Sequence, residues 1–261
     1  MSDGRALARA YLDQQRMLGG DAVVAPGPAA SAPPTEEPVP DRAPDVPPAT
    51  ASDDGPLPPP GLVYDPPPGD LFATHPVARA GDLEAVATLV HACTRCRLCE
   101  GRTHAVPGEG PTDARLVVVG EGPGRTEDET GRPFVGKAGE LLTRILGAIQ
   151  LPREQVFICN VVKCRPPENR PPLYDEIAAC LPYLHRQIEL LHPKLILAMG
   201  GTAAQTLLDT KQSLGALRNR VHRFRGFPVL VTYHPAALLR NPNWKRPTWD
   251  DVRIARRLLD S

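Results

Sequence analysis

The sequence predicts an α/β fold: a three-layer αβα sandwich built on a central four-stranded parallel sheet. Four short apolar runs, Leu116 to Gly120, Val156 to Val162, Leu195 to Met199 and Val229 to Thr232, carry this expectation. Their uniform apolarity suits strands buried on both faces rather than the alternation of a half-exposed strand. Segments with helical apolar spacing separate them, and a strand–helix alternation implies crossovers that cover both sides of a parallel sheet.

Taken in order, a helix from Asp82 to Ala92 leads into a cysteine-rich segment and the strand at Leu116 follows. Helices are expected at Gly139 to Ile149, Leu173 to Leu191 and Thr202 to Leu208, and a closing helix at Asp250 to Leu259. The chain has 261 residues, enough for one domain and an appendage. Residues 1–20 read as a short amphipathic helix, with Leu7, Ala10, Tyr11, Gln14 and Leu18 at helical spacings and Gly19-Gly20 as a stop signal. Residues 21–81 read as a disordered Pro/Ala-rich linker. The span Pro26 to Pro68 alone holds 16 of the 32 prolines and has too little apolar area to offset its ordering entropy. The folded domain is expected at residues 82–261, and the leading helix offers a docking element for a partner protein.

The formal net charge is zero but unevenly distributed. Met1 to Asp82 carries 5 basic and 12 acidic residues, leaving 25 and 18 in the remainder, an excess of seven positive charges that favours a polyanionic partner. No apolar stretch is long enough to span a bilayer and the N-terminus lacks a signal-peptide core, so a cytoplasmic protein without membrane contact is expected. In a reducing compartment six cysteines serve as ligands or small core residues rather than as disulfides.

Three motifs close the apolar runs. Gly120-Glu121-Gly122-Pro123-Gly124 follows the first, Asn160 interrupts the second, and His234-Pro235 ends the fourth. Ligands of open α/β sheets bind at the C-terminal ends of strands, so a carboxylate, a carboxamide and an imidazole are expected around one pocket. The glycine-rich turn alone could cradle a phosphate, but it lacks the Lys-Ser/Thr ending of a P-loop and the spacing of a dinucleotide fingerprint. Phe134 lies in a Gly/Pro-rich loop, free either to fill core or to stack on a ligand. Cys93-x-x-Cys96, Cys164 and Cys180 make a set of four thiols that suits zinc or an iron-sulfur cluster, while Cys99 extends the first motif and Cys159 reads as core.

From about Leu89 to Leu259, these motifs resemble the family 4 uracil-DNA glycosylases, the iron-sulfur branch of that superfamily. The resemblance rests on Gly120 to Gly136, on Asn160 to Pro171 and on His234 to Pro242, together with the four cysteines. It implies a DNA-repair hydrolase that removes uracil from single- or double-stranded DNA and leaves an abasic site; a monomer, nucleoid-associated when acting on DNA, is expected. A repair or replication protein would be the partner of the N-terminal helix. By the same resemblance Glu121 and His234 are catalytic, with Glu127 or Asp128 as the alternative water-positioning group. Gly122 lies beside the flipped nucleotide and Phe134 stacks on the base. Asn160 reads the base, because one amide donor and one acceptor match the N3–H and O4 edge of uracil. Leu238 and Leu239 are expected as exposed loop residues that fill the vacated stack, Arg240 as a contact to phosphate or to the opposite strand, and Cys93, Cys96, Cys164 and Cys180 as ligands of a 4Fe-4S cluster. Arg125 departs from the acidic or small residue the family pattern leads one to expect. A non-catalytic binding module on the same fold is the competing reading. Covalent capture is the other; it uses a histidine on an inserted loop, and none lies between Cys164 and Cys180.

Overall fold

The computed structural model describes residues 56–65 and 75–261. The expected helix at residues 1–20 and most of the expected linker lie outside the described residues.

The described chain opens with strand β1 (Pro60–Tyr64), then helices α1 (Leu83–His91) and α2 (Leu98–Gly101) and strand β2 (Leu116–Gly120). Helices α3 (Arg125–Thr130) and α4 (Lys137–Ala148) precede β3 (Val156–Asn160), α5 (Tyr174–Leu191) and β4 (Leu195–Met199). Then come α6 (Gly201–Leu208), α7 (Leu214–Leu217), β5 (Val221–Phe224), β6 (Phe227–Thr232), α8 (Pro235–Arg240) and α9 (Lys245–Asp260). Local signals account for several boundaries. The Asp82 carboxylate accepts from the Ala85 amide at 2.8 Å to start α1, and Pro235 occupies the first turn of α8, where a missing N–H costs nothing.

The strands form one six-stranded sheet in the order β1-β5-β6-β4-β2-β3, parallel except at the β5–β6 pair. The four expected parallel strands are its β6-β4-β2-β3 portion, so the class is as predicted and the strand count is corrected from four to six. The two extra strands carry weak signals. β5 holds His222 and Arg223 and turns into β6 through Arg225-Gly226, both with left-handed φ (49° and 80°), the geometry of a tight two-residue hairpin turn. β1 begins at a proline, tolerable at the start of an edge strand, inside a segment whose composition reads as a tether. Its Leu62 amide donates to His222 Nδ1 at 2.8 Å, and a Cβ on Gly61 would stand 2.4 Å from that nitrogen.

The disordered-linker expectation is therefore corrected at Pro60–Tyr64, which pairs with β5. It is corrected again just before α1: Val77 and Ala80 are buried, and the Arg186 guanidinium grips the Ala80 carbonyl at 2.8 and 2.9 Å.

The pleat divides the core into two layers. Val117, Val119, Phe157, Cys159, Ile196 and Ala198 face α1, α5 and α6, whereas Leu116, Val118, Val156, Ile158, Leu195 and Leu197 face α4 and α9. This is the expected αβα sandwich. Among the described residues no helix is long and apolar enough to cross a membrane. β2 lies between β4 and β3, so connections leave it in opposite directions, and the crevice beside its C-terminal end is a topological switch point.

Candidate active site and cysteine centre

A cavity of about 830 Å³ opens at that switch point. Its lining includes Glu121, Gly122, Phe134, Asn160, His234 and Arg240, six of the eight residues expected around the base and the DNA.

Gly120 and Asn160 are register partners at the ends of β2 and β3. A Cβ on Gly120 would stand 2.4 Å from Asn160 Oδ1 and 2.5 Å from Phe134 Cζ, so only glycine lets the carboxamide and the ring approach each other here. Phe134 adopts φ 51° in its Gly/Pro-rich loop, and Arg153 clamps that loop by donating to the carbonyls of Pro133 (2.6 Å) and Phe134 (3.0 Å). Arg153 is in turn paired with Glu109, which also binds Arg132 through 2.6 and 2.9 Å contacts. The Phe134 ring, held in this way, lies 5.4 Å from the His234 ring.

Asn160 is almost wholly buried at 1 % exposure, and its Oδ1 has no hydrogen-bond partner among the described residues. An orphaned buried amide oxygen costs about 1–3 kcal/mol, a cost a ligand donor would offset.

His234 caps α8: its Nδ1 accepts from the Ala236 amide at 3.2 Å. A backbone N–H can only donate, so Nδ1 carries no proton and the remaining proton sits on Nε2. Burial, reinforced by the Arg240 charge and opposed by Glu127, lowers the His234 pKa to about 4. A neutral imidazole therefore presents Nε2–H as its donor at neutral pH.

Three acidic groups near the turn have different environments. Glu121 lines the cavity and its Oε2 accepts the Thr202 hydroxyl. Glu127 accepts from the amides of Gly124 (3.1 Å), Val135 and Gly136 (both 2.9 Å), tying the glycine-rich turn to the Phe134 loop. Asp128 is buried, accepts from the Thr103 amide at 3.0 Å and does not line the cavity. Arg125 is exposed and paired with Glu129, away from the cavity lining.

The expectation for the leucine pair is corrected. Both residues lie on helix α8 rather than a loop, and Leu238 is buried at 1 % exposure where α8 packs against α4. Leu239, one residue on, is 46 % exposed. Sequence reasoning missed Thr202 and Arg153. Thr202 had a signal, since it stands in the first turn of a helix directly after a buried strand; Arg153 had none, because it acts on two main-chain carbonyls and on Glu109, far off in the chain.

Cys93, Cys96, Cys99, Cys164 and Cys180 line one small recess beside α1 and α5, whereas Cys159 is buried in the core. Among the described residues no group of three or more His, Cys, Asp and Glu forms a ready site for a single metal ion. Thiolates around one zinc stand about 4 Å apart by tetrahedral geometry, whereas each thiolate of a four-iron cluster holds its own iron. The donor set fits such a cluster. Arg102 donates to Cys164 Sγ at 3.0 Å and the Lys163 amide donates to Cys180 Sγ at 3.2 Å. Burial pushes the Cys180 thiol up to about 12, so a deprotonated sulfur there calls for a cationic partner.

Fold and pocket define a doubly wound α/β protein whose ligand site sits at the sheet's switch point, lined by a carboxylate, a carboxamide and a neutral imidazole. The family model of the Uracil DNA glycosylase superfamily matches residues 107–254. The chain is 46% identical to a type-4 uracil-DNA glycosylase of Thermotoga maritima over 181 residues, covering 68% of this chain and 94% of that protein. It is 44% identical to the type-4 enzyme of Saccharolobus solfataricus over 189 residues, 69% of this chain and 88% of that protein. Similarity to a type-5 uracil-DNA glycosylase of Pyrobaculum aerophilum is lower, 30% over 51% of this chain and 66% of that one. The chain belongs to the uracil-DNA glycosylase superfamily, in its type-4 family.

Proposed function

We propose that this protein is a DNA-repair hydrolase that cuts the N-glycosidic bond of deoxyuridine in DNA, releasing uracil and leaving an abasic site. The observation that carries the reading is the buried Asn160 carboxamide, its Oδ1 unpaired, in one cavity with Glu121 and His234.

Uracil leaves the base stack at a cost of a few kcal/mol, least in a U·G mismatch or a single strand. Its ring lies against Phe134, and Asn160 pairs with N3–H and O4. The C1′–N1 bond breaks and its electron pair goes to the base. His234 Nε2–H donates to the uracil oxygen on which charge grows, and the neutral imidazole keeps its proton throughout. Glu121 faces the sugar, where its carboxylate stabilises positive charge at C1′ and takes the proton of the water that adds there. Glu127 is committed to three backbone amides and Asp128 to a fourth, which favours Glu121 for this role. Leu239 fills the vacated stack, and Arg240 at the cavity rim takes a phosphate. The work is done in the cytosol, on the nucleoid.

Cys93, Cys96, Cys164 and Cys180 would hold the 4Fe-4S cluster. When bound it supplies a covalent crosslink joining the segment after α1, the loop after β3 and helix α5.

A uracil-containing oligonucleotide treated with the protein and then with alkali should break at the uracil. Single-turnover excision should fall steeply in Glu121→Gln, Asn160→Ala and His234→Ala; unchanged rates in all three would refute the assignment.

A further inference from the structure

The cavity is larger than one pyrimidine needs. Pockets of roughly 300–1,000 Å³ hold drug-sized ligands, and this one, at about 830 Å³, continues past the strand ends to Ser213, Leu214, Tyr233 and Trp244.

In that extension Tyr233 and Trp244 are layered, with Arg218 against Tyr233 outside the lining. The Arg218 guanidinium lies 4.6 Å from the Tyr233 ring centroid, and Trp244 stacks on Tyr233 with centroids 4.9 Å apart and planes 8° from parallel. Tyr233 is thus in contact with both a guanidinium and an indole. The layer is anchored from behind: Arg218 binds Asp251 through two contacts of 2.8 and 3.0 Å, and Asp251 also accepts the Thr232 hydroxyl at 2.7 Å. Trp244 keeps 37 % of its surface exposed although it is stacked on Tyr233. Aromatic faces that line a nucleic-acid cavity hold bases by stacking.

We propose that Trp244 is a stacking platform for the nucleobase adjoining the extracted uracil on the same strand, extending the Tyr233–Trp244 stack by one base. The site rests on the glycosylase reading above. Tyr233 is the residue before His234, and both lobes belong to one cavity, so a base in the second lobe is within one nucleotide's reach of the first. A base of the complementary strand has no such tether.

The test uses single-stranded uracil oligonucleotides in which the base on one side of the uracil, or on the other, is replaced by a tetrahydrofuran abasic residue. One of the two replacements should lower kcat/KM of the full-length enzyme about tenfold and leave that of Trp244→Ala unaltered, while Trp244→Phe behaves largely as the unaltered enzyme. Indifference of the unaltered enzyme to both replacements overturns the proposal, as does equal sensitivity in Trp244→Ala. Sensitivity confined to removing the base opposite uracil in a duplex also overturns it. The chain has two tryptophans, so Trp249→Phe leaves Trp244 as the sole indole, and its fluorescence should be quenched by the intact oligonucleotide and less by the abasic one. Equal quenching by both overturns the proposal. If the enzyme releases no uracil from any substrate, the glycosylase reading fails, and the fluorescence arm still decides the stacking site.

Discussion

The buried ammonium of Lys163 donates to the main-chain carbonyl of Asn160 at 2.8 Å and to Gln187 Oε1 at 2.6 Å. Gln187 in turn donates to the Pro107 carbonyl at 2.7 Å, and the Lys163 amide reaches Cys180 Sγ. One residue thus joins the strand end that presents the carboxamide to two cysteine-bearing elements, the loop after β3 and helix α5. Lys163→Met fills similar volume but leaves two buried oxygens without donors, at about 1–3 kcal/mol each. A lower melting temperature is expected, with an excision rate about tenfold lower, the equivalent of about 1.4 kcal/mol at the barrier. Iron content of the purified variant separates the two routes: retained iron with slow excision points to the Asn160 carbonyl, and lost iron to the cysteine segment.

Thr202 holds one oxygen of the Glu121 carboxylate from the first turn of α6. The hydroxyl fixes the orientation of that carboxylate, so with Glu121 in the proposed role Thr202→Val should slow the chemical step by about tenfold, typical of losing one hydrogen bond to a charged group. Thr202→Ser keeps the donor and should restore most of the rate. Single-turnover rates at saturating enzyme make the comparison, and a serine variant as slow as the valine one would show that packing, not the hydrogen bond, sets the carboxylate.

The parts of the fold that were legible in the sequence share a physical cause. β2, β3, β4 and β6 are buried on both faces, so their residues are uniformly apolar, and the functional groups stand out as polar interruptions at their ends. β5 was hidden because His222 and Arg223 break the apolar run, and β1 because prolines up to Pro60 dominate its surroundings. Leu238 and Leu239 look equivalent in sequence. Only the helical turn of α8 sends one into the protein and the other out. The Thr202 bond to Glu121 and the Lys163 bond to Gln187 join residues distant in the chain, so their partners cannot be read from local pattern.

His234 gives a pH dependence with a definite sign. Its pKa is about 4 in the folded protein against an ordinary 6.5, so between these values the unfolded chain binds a proton that the folded one refuses. Its contribution to stability is full above pH 6.5 and is lost as pH falls toward 4, by up to about 3 kcal/mol. In His234→Gln the acid-induced fall in melting temperature across that window should be shallower. The imidazole stays neutral down to about pH 4, so protonation of His234 should not limit excision by the unaltered enzyme near pH 5.5.

The six cysteines are expected to differ in what they hold. Cys93→Ser, Cys96→Ser, Cys164→Ser and Cys180→Ser should each lower bound iron and the visible colour of the purified protein, roughly in step, because a four-iron cluster needs four thiolates. Cys99→Ser and Cys159→Ser should keep the full iron content. Loss of iron from the Cys99 variant, with retention in any of the four, would reassign the ligand set.

The two leucines of α8 should separate stability from DNA handling. Leu238 is buried between α8 and α4, and truncation to alanine leaves a cavity there, at a cost of about 2–5 kcal/mol. Leu238→Ala is therefore expected to unfold at lower temperature and to lose activity on every substrate in parallel. Leu239 is half exposed beside the cavity rim, so its truncation removes little core. If its side chain enters the gap left by the extracted nucleotide, Leu239→Ala should excise uracil from duplex DNA several-fold more slowly while retaining most of its rate on single strands, where little stacking has to be replaced. Melting temperatures and the duplex-to-single-strand rate ratio read the two effects independently. An unchanged ratio in Leu239→Ala would remove the wedge role from this helix.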